Sequence, residues 1–497
     1  MNWGHCGPQT PIKRARAPNI LGLICFHGPS FRDFFEFCKR LDLENFFGTI
    51  NFGRVRGFFI ANHNFQLNPD VATILAQIAC HENALPQGSP CSPVISNLIG
   101  HILDIRLAAL AWKAGCSYSR YADDLTFSTN KRAFPPKVAT STENLTHQWQ
   151  VGKDLEKIIK KTGFSINPSK TRMQYKDSRQ GVTGLVVNTK VNTRVEYRRT
   201  VRAMVHQLSK TGSFQINRKK IISGTLDQLN GRLSFIDSVC VESIKRGMKP
   251  SDHKKAIPRS QKSDCNEKVY RNFLLYRNFF VSTNPLIICE GKTDNIYIKA
   301  AIQRLAVDYP ALAEKKADGR ITLRVKLFRY TKTTDRILHL AGGTGDFPEF
   351  IRNYTTKWKD HIKVPGKEHP VILLIDNDGG GKSIFNSIKK QIESIPDYRN
   401  KPFIFLGENL YMVLTPLTLD GGDTMIEDFF EESLKSTKNN GKSLNLSEDV
   451  NTKTEYGKHI FAKHVVRKNA DTINCDGFKS ILDRIDAVLV EHAKKSS

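Results

Sequence analysis

The stretch Tyr121-Ala122-Asp123-Asp124 decides how this chain reads. Two adjacent carboxylates sit between residues 117–120 and 125–128, runs carrying Tyr, Thr, Phe and Leu. Such runs suit strands and Asp favours turns, so the pattern predicts a tight β-hairpin with the acids at its tip. Neighbouring aspartates repel unless cations lie between them. The pair therefore points to divalent metal and to chemistry on phosphates. An isolated Asp-Asp is more simply an exposed acidic turn; here the surroundings shift that reading.

Two other stretches fit the same site. Arg40-Leu41-Asp42-Leu43-Glu44-Asn45-Phe46-Phe47 is an apolar run with one acid near its start. Leu85-Pro86-Gln87-Gly88-Ser89-Pro90 lies between, followed by Ser92-Pro93-Val94-Ile95-Ser96-Asn97. In this order the three motifs resemble the palm of the reverse transcriptases: a first-strand Asp, an LPQG-type turn, then YADD. The wording GFSINPSKT at 163–171, VTGL at 182–185 and LNGRLSFI at 229–236 is similar to the retron branch of that family. The resemblance implies that Asp42, Asp123 and Asp124 hold two Mg²⁺ ions, with Mn²⁺ as an alternative. It implies an aromatic gate at Phe47, whose ring would clash with a ribose 2′-OH, although a plain core Phe needs no such role. Gln87 and Gly88 correspond to a nucleotide-contacting turn, where glycine lets the backbone approach the ligand. Lys170 is a candidate phosphate contact or proton donor.

Composition agrees with a nucleic-acid partner. The 497 residues suffice for two to four domains, and 39% hydrophobic with 9% aromatic content is globular. A net charge of +26 suits a polyanion, nucleic acid before membrane. No stretch reads as the ~18 apolar residues of a membrane span. Lys13, Arg14 and Arg16 ahead of an apolar run at 19–26 imitate a signal peptide, but the run is short and no small-residue cleavage site follows. Ten cysteines without a CxxC motif or a Cys/His cluster argue for a reducing cytoplasm and against structural zinc.

Taken in order, residues 1–36 are an atypical segment mixing Gly, Pro, Cys and Arg. Reverse transcriptases carry a fingers subdomain before the first Asp, and retron enzymes an NAxxH signature; neither is visible here. The chain is thus expected to be a shortened or shifted version of a longer enzyme. Residues 37–198 read as the palm. A helix is expected over 68–81, capped by Asn68 or Asp70, with Val71, Ile74, Leu75 and Ile78 at helical spacing. Another is expected over 97–113, with Leu98, Ile102, Ile105 and Ala109 along one face, and a third over 151–162, stopped by Gly163. Short strands are expected at 173–175 and 182–187. Residues 199–278 are basic and helix-rich, like a polymerase thumb tracking a duplex backbone, with a polar loop at 252–267. Arg198, Arg199, Arg202, Lys219 and Lys220 are the candidate nucleic-acid contacts; singly, each reads as a solvated helix face.

A second domain is expected from 284 to 497. Leu286-Ile287-Ile288-Cys289 reads as a buried strand ending in Glu290-Gly291-Lys292-Thr293-Asp294, and Val371-Ile372-Leu373-Leu374-Ile375 as an unbroken apolar strand ending in Asp376-Asn377-Asp378. Acids at the carboxyl ends of parallel strands lie where an α/β sheet places its site. EGxxD followed by DxD resembles the TOPRIM domain, nearest the nuclease type of the OLD-like proteins. Gly342-Gly343-Thr344-Gly345 resembles its intervening turn and TMIEDFF at 424–430 its later acidic segment. This resemblance gives Glu290 a general acid/base or metal role. Asp294, Asp376, Asp378 and Glu427 complete an oxygen-rich site suited to Mg²⁺ or Mn²⁺.

The expected fold is therefore an α+β palm and thumb followed by an α/β, Rossmann-like TOPRIM domain. The expected function is RNA-directed DNA synthesis by a retron enzyme. It would use dNTPs on a cognate structured RNA, leave a branched RNA–DNA, and carry a fused nuclease arm for anti-phage defence. Two other readings stand beside it: a palm that only holds RNA while TOPRIM cuts, and a non-catalytic nucleic-acid scaffold.

Overall fold

The computed structural model describes residues 25–27 and 37–496, apart from 142–148, 189, 218–221, 249–263, 358–361, 365, 390–392, 394 and 448. The chain divides into two compact units, Met1–Arg194 and Val195–Ser497.

The first unit is a five-stranded sheet backed by helices. In chain order its elements are β1 (Cys25–His27), β2 (Phe37–Leu43), α1 (Phe46–Thr49), α2 (Phe52–Ala61), α3 (Pro69–Ala79), α4 (Ser92–Ala114), β3 (Ser117–Tyr121) and β4 (Asp124–Thr129). There follow β5 (Ala139–Ser141), β6 (Trp149–Val151), α5 (Lys153–Lys161), β7 (Ile166–Tyr175), β8 (Gly181–Val182) and β9 (Leu185–Val186). The strand order β1-β3-β4-β2-β7 puts β2 and β4, the two acid-bearing strands, side by side at the centre. Strand alternation explains the core: Leu41 and Leu43 face the helices and are buried, while Arg40 and Asp42 point to the opposite face.

Both long helices form, but their buried faces are not the expected ones. Asn68 caps α3 through its side chain, and the buried stripe is Ala72, Ala76 and Ala79. Val71, Ile74, Leu75 and Ile78 face outward, Ile78 at 76% exposure. Small alanines let α3 approach α2 closely, so the bulkier stripe is the one left outside. In α4 the core takes Ile95, Ile99, Leu103, Leu107 and Leu110, leaving Ile102 and Ile105 exposed. By length and composition α4 does reach what a membrane span requires, contrary to the sequence expectation. Its apolarity is explained by packing under the sheet, and its buried Asp104 is paired with Arg120. Residues 182–187 are not one strand but a hairpin, β8–β9, turned by Thr183 and Gly184 at φ 46° and 85°. The third helix, α5, buries Leu155 and Ile159 and stops at Gly163, whose φ of 76° suits glycine.

One buried group in this unit predicts a pH effect. Lys39 on β2 is 1% exposed and, among the described residues, reaches only the Trp149 carbonyl, at 3.5 Å. Burial pulls its pKa from 10.5 down to about 8. The folded state then binds fewer protons than the unfolded chain between those values, so the penalty is full below about pH 8 and fades toward pH 10.5. Lys39→Met is expected to raise stability at pH 7 by up to about 3 kcal/mol. Urea midpoints of the two chains should converge as the pH approaches 10.

The second unit begins with helices α6 (Val195–Thr211), α7 (Leu226–Arg246) and α8 (Cys265–Leu275), with a small β10–β11 hairpin (Gln215–Asn217, Ile222–Ser223) between the first two. An α/β region follows: β12 (Leu286–Cys289), α9 (Asp294–Arg304), β13 (Ala313–Lys315), β14 (Ile321–Leu323), β15 (Lys326–Leu327), α10 (Phe347–Arg352), β16 (Val371–Ile375), α11 (Lys382–Ser387), β17 (Ile404–Gly407), β18 (Leu410–Leu414) and a C-terminal helix, Lys479–Ser496. The sheet order is β15-β12-β16-β18-β17, all parallel but for β17.

Both faces of this sheet are covered at its centre, which is why β12, β16 and β18 are continuously apolar. Leu286, Ile288, Val371 and Leu373 point into one core together with Val201 of α6, Leu233 of α7 and Phe273 of α8. Ile287, Cys289, Ile372 and Leu374 point into the other, with Ile298 of α9 and Ile481 and Ile485 of the C-terminal helix. The basic helices after 195 and the strands after 284 therefore share one core. Residue 284 is a connection within that core, not a packing boundary, because the apolar faces of α6 to α8 cover the sheet. The expected loop at 252–267 overlaps the start of α8; its earlier part lies outside the described residues.

Candidate functional site

The first candidate site stands on the exposed face of the palm-like sheet. β3 and β4 form the expected hairpin, with Tyr121 opposite Asp124 and the turn made by Ala122 and Asp123. Ala122 adopts φ 51°, a left-handed conformation that non-glycine residues hold only when their surroundings impose it. On the other side of β4, Asp42 lies directly opposite Asp124. The Leu43 amide donates to the Asp123 carbonyl at 2.9 Å, so the first-strand acid and the turn are tied together through the backbone. The three acids separated by 80 residues of sequence thus meet at one end of two adjacent strands.

Their electrostatics follow from that crowding. Burial, then the charges of Asp42 and Asp124, raises the Asp123 pKa, while a hydrogen bond to its own backbone opposes the rise. Asp124 is held by both nitrogens of a fork: Arg40 Nε donates to Oδ1 at 3.0 Å and Nη2 contacts Oδ2. Asp42 is paired with Lys170, Nζ to Oδ1 at 3.3 Å. The two side-chain cations offset the repulsion that the sequence pattern implied. Among the described residues, no three His, Cys, Asp or Glu side chains already converge into an ion cage. All the donors here are nevertheless carboxylate oxygens, the set a hard divalent cation takes.

Around the acids, Phe47 is half-buried on α1 and meets Phe46 edge-on at 5.3 Å. Gln87 and Gly88 are exposed at the turn before α4, with Gly88 at φ 97°. That turn is anchored by Ser92 Oγ, which donates to the Pro86 carbonyl at 2.7 Å.

The second candidate site lies at the carboxyl ends of β12 and β16, neighbours in the second sheet. Glu290 follows β12, Asp376 follows β16, and Asp294 opens α9 with its carboxylate accepting from the Gly291 amide at 2.6 Å. The Asp376 amide donates to Glu290 Oε2 at 3.3 Å, and the Ile426 amide donates to Asp376 Oδ1 at 2.9 Å. The second bond brings Glu427 into the group. Asp378, half-exposed, accepts from the Gly380 amide at 2.8 Å and adds its charge to that felt by Glu290. The Gly343 amide donates to the Glu290 carbonyl at 2.8 Å, which is the part played by the expected glycine turn.

Four of these acids are largely buried together, and their pKa values show it. Desolvation, reinforced by Asp294, Glu290 and Glu427, pushes Asp376 from 3.8 to about 8. Desolvation, then Asp294 and Asp378, pushes Glu290 from 4.5 to about 7. Burial likewise raises Asp294 and Glu427. Lys458 is the residue that sequence reasoning missed. Its Nζ lies 3.2 Å from Glu427 Oε2, and its charge also acts on Asp376 and Asp294. A lone lysine 31 residues beyond Glu427, in no motif, gives no signal in sequence. Glu427 is 0% exposed, and its Oε1 has no hydrogen-bond partner among the described residues. A buried carboxylate oxygen left open beside three more acids is what a divalent cation would satisfy, so the donor set fits Mg²⁺ or Mn²⁺.

Of the candidate nucleic-acid contacts, Arg199 and Arg202 are exposed on α6 and Arg198 is half-buried there. Arg202 Nη2 contacts Cys265 Sγ at 2.9 Å. Lys219 and Lys220 lie outside the described residues, as do Lys13, Arg14 and Arg16. The eight cysteines from Cys38 to Cys475 form no disulfide with one another.

Comparison with known proteins finds similarity over residues 37–223. These residues match the family described as reverse transcriptase (RNA-dependent DNA polymerase), a span that contains the β3–β4 hairpin. Curated retron reverse transcriptases are similar to the same part of the chain. The chain is 34% identical to the Retron Ec86 reverse transcriptase of Escherichia coli over 212 residues, 42% of this chain and 58% of that protein. It is 31% identical to the Retron Mx65 reverse transcriptase of Myxococcus xanthus over 226 residues, 42% and 49% of the two chains. It is 34% identical to the Retron Mx162 reverse transcriptase of the same organism over 216 residues, 40% and 43%. The match spans about half the length of these curated relatives.

Proposed function

We propose that the chain is a retron RNA-directed DNA polymerase fused to a TOPRIM-type, metal-dependent nuclease. The observation that carries the polymerase reading is the pairing of Asp42 directly opposite Asp124, with Asp123 at the adjoining turn, inside a reverse transcriptase domain. Asp42, Asp123 and Asp124 would hold two Mg²⁺ ions, which when bound activate the primer hydroxyl and neutralise the leaving pyrophosphate. Metal entry would exchange Arg40 and Lys170 away from the acids, leaving both cations beside the incoming triphosphate. On this reading the template is a cognate structured RNA, the substrates are dNTPs, and the product is a branched RNA–DNA; the similarity to proteins named as retron reverse transcriptases supports it. The compartment is the cytoplasm. For the second unit, the support is the parallel sheet with Glu290, Asp294, Asp376, Asp378 and Glu427 gathered at adjoining strand ends. Glu427, Asp376 and Glu290 would hold the cation there, for phosphodiester hydrolysis that serves anti-phage defence.

The test is primer extension by the purified chain with Mg²⁺, dNTPs and a primed structured RNA, run beside Mg²⁺- or Mn²⁺-dependent cleavage of DNA and RNA. Extension without cleavage would leave the second unit without this role. Cleavage without extension would leave the palm as an RNA holder. A gate at Phe47 adds an expected result: Phe47→Ala should admit ribonucleotides at least about tenfold better relative to dNTPs, since discrimination by a single clash is worth roughly 1–3 kcal/mol. Single-nucleotide incorporation with matched dNTP and rNTP measures it.

A further inference from the structure

We propose that Arg120 is a positioning residue for the polymerase acids, acting through the carbonyl of Ala122. The proposal rests on the reading that Asp123 and Asp124 hold the catalytic cations. Arg120 is the residue before Tyr121 and is 2% exposed. Its Nε donates to Asp104 Oδ1 at 2.7 Å and its Nη2 to Asp104 Oδ2 at 2.8 Å, so one edge of the guanidinium is locked on α4. The remaining Nη1 donates to the Ala122 carbonyl at 3.1 Å and to Asn97 Oδ1 at 3.3 Å. Tyr118 OH donates to Asp104 Oδ1 at 2.8 Å, fixing the acid in turn. The guanidinium carbon also lies 5.7 Å from the Phe46 ring, in the segment that follows Asp42.

Stability alone does not account for this arrangement. A buried ion pair is weakly stabilising at best, and well-packed apolar replacements are often as stable. What an apolar pair cannot supply is a donor aimed at the turn. The left-handed conformation of Ala122 costs about 1–2 kcal/mol and needs something to hold it. Lysine would not serve, because only the planar fork reaches a carboxylate along one edge and a carbonyl with the free nitrogen. Gly100 on α4 makes room for it: a Cβ there would stand 2.8 Å from Arg120 Nη2. Asn97, Gly100 and Asp104 thus form a seat on one helix, and Arg120 carries its geometry to the turn that bears the acids.

The test uses the full chain with Arg120→Leu and Asp104→Leu combined, and separately with Gly100→Ala and Arg120→Lys. The urea midpoint reports folding, and extension kinetics give kcat and the KM for dNTP. Mn²⁺ binding followed by electron paramagnetic resonance, in a Glu290→Gln and Asp376→Asn background, reports the first site independently of activity. The paired variant is expected to stay folded and to lose about 10- to 100-fold in kcat, with KM within about threefold and Mn²⁺ binding weakened about tenfold. Gly100→Ala, which only displaces the fork, should move kcat and Mn²⁺ binding the same way by less, and Arg120→Lys should not rescue. Should the paired variant fail to fold, Gly100→Ala decides. Wild-type kcat and Mn²⁺ affinity in a folded variant would overturn the proposal. Were the wild type to make no DNA, the polymerase reading would fall, while the Mn²⁺ measurement would still decide whether Arg120 positions the acids.

Discussion

Changing Asp123 to asparagine is expected to reduce primer extension by about a hundred- to a thousandfold while leaving the fold intact. On the proposed reading the loss follows from removing an anionic oxygen where two cations would be held, a place where single electrostatic contacts are worth roughly 10²–10³ in rate. The choice of residue matters. Asp124 is bound by Arg40 and Asp42 by Lys170, so changing either also breaks an ion pair. Among the described residues Asp123 has no ion-pair partner, and burial beside two other carboxylates raises its pKa. Neutralising it therefore relieves repulsion, and the urea midpoint should hold or rise slightly. Extension at wild-type rate by Asp123→Asn would displace the site. A loss of rate accompanied by a lower midpoint would mean that the acid serves the fold.

Local chemistry explains why this hairpin was legible in sequence. Strand-forming runs and a turn pair sit within 13 residues, and the register is forced by the two-residue connection. The apolar strands β12 and β16 were legible for a similar reason, since burial on both faces leaves no alternation to mistake. What the sequence did not contain was the identity of the neighbour. Periodicity located α3 and α4, but it could not say that Ala72, Ala76 and Ala79 would be the packed stripe and Ile74 and Ile78 the outer one. It likewise marked a break near Asn284 without revealing that Val201, Leu233 and Phe273 cover the sheet beyond it. The ion pairs that shape both sites were equally silent. Arg120 and Asp104 are 16 residues apart, Lys458 and Glu427 are 31, and only the fold brings each pair together.

The buried acids of the second site lead to the other large effect. Asp376→Asn is expected to abolish cation-dependent cleavage and at the same time to stabilise the metal-free chain. In the folded state Asp376 titrates near 8 and Glu290 near 7, against 3.8 and 4.5 for exposed groups. A folded acid with a raised pKa keeps a proton that the unfolded chain has lost, so the stability it contributes is full below about pH 4 and is lost as the pH rises through the folded value. Without divalent cation the wild type should therefore lose stability steadily from about pH 4 to about pH 8, and Asp376→Asn should flatten much of that slope. The difference between the two chains is expected to reach a few kcal/mol by pH 8, each pKa unit being worth about 1.4 kcal/mol before the coupling among the acids is shared out. Cations that bind the site must displace those protons, so Mg²⁺ or Mn²⁺ should stabilise the wild type more at pH 8 than at pH 6, and should barely move Asp376→Asn. Urea midpoints across this range, with and without cation, separate the possibilities. A wild-type stability that is flat with pH would show that the acids are not buried against one another. A sloping stability that no cation restores would make them a polar core under the sheet, with no site for hydrolysis.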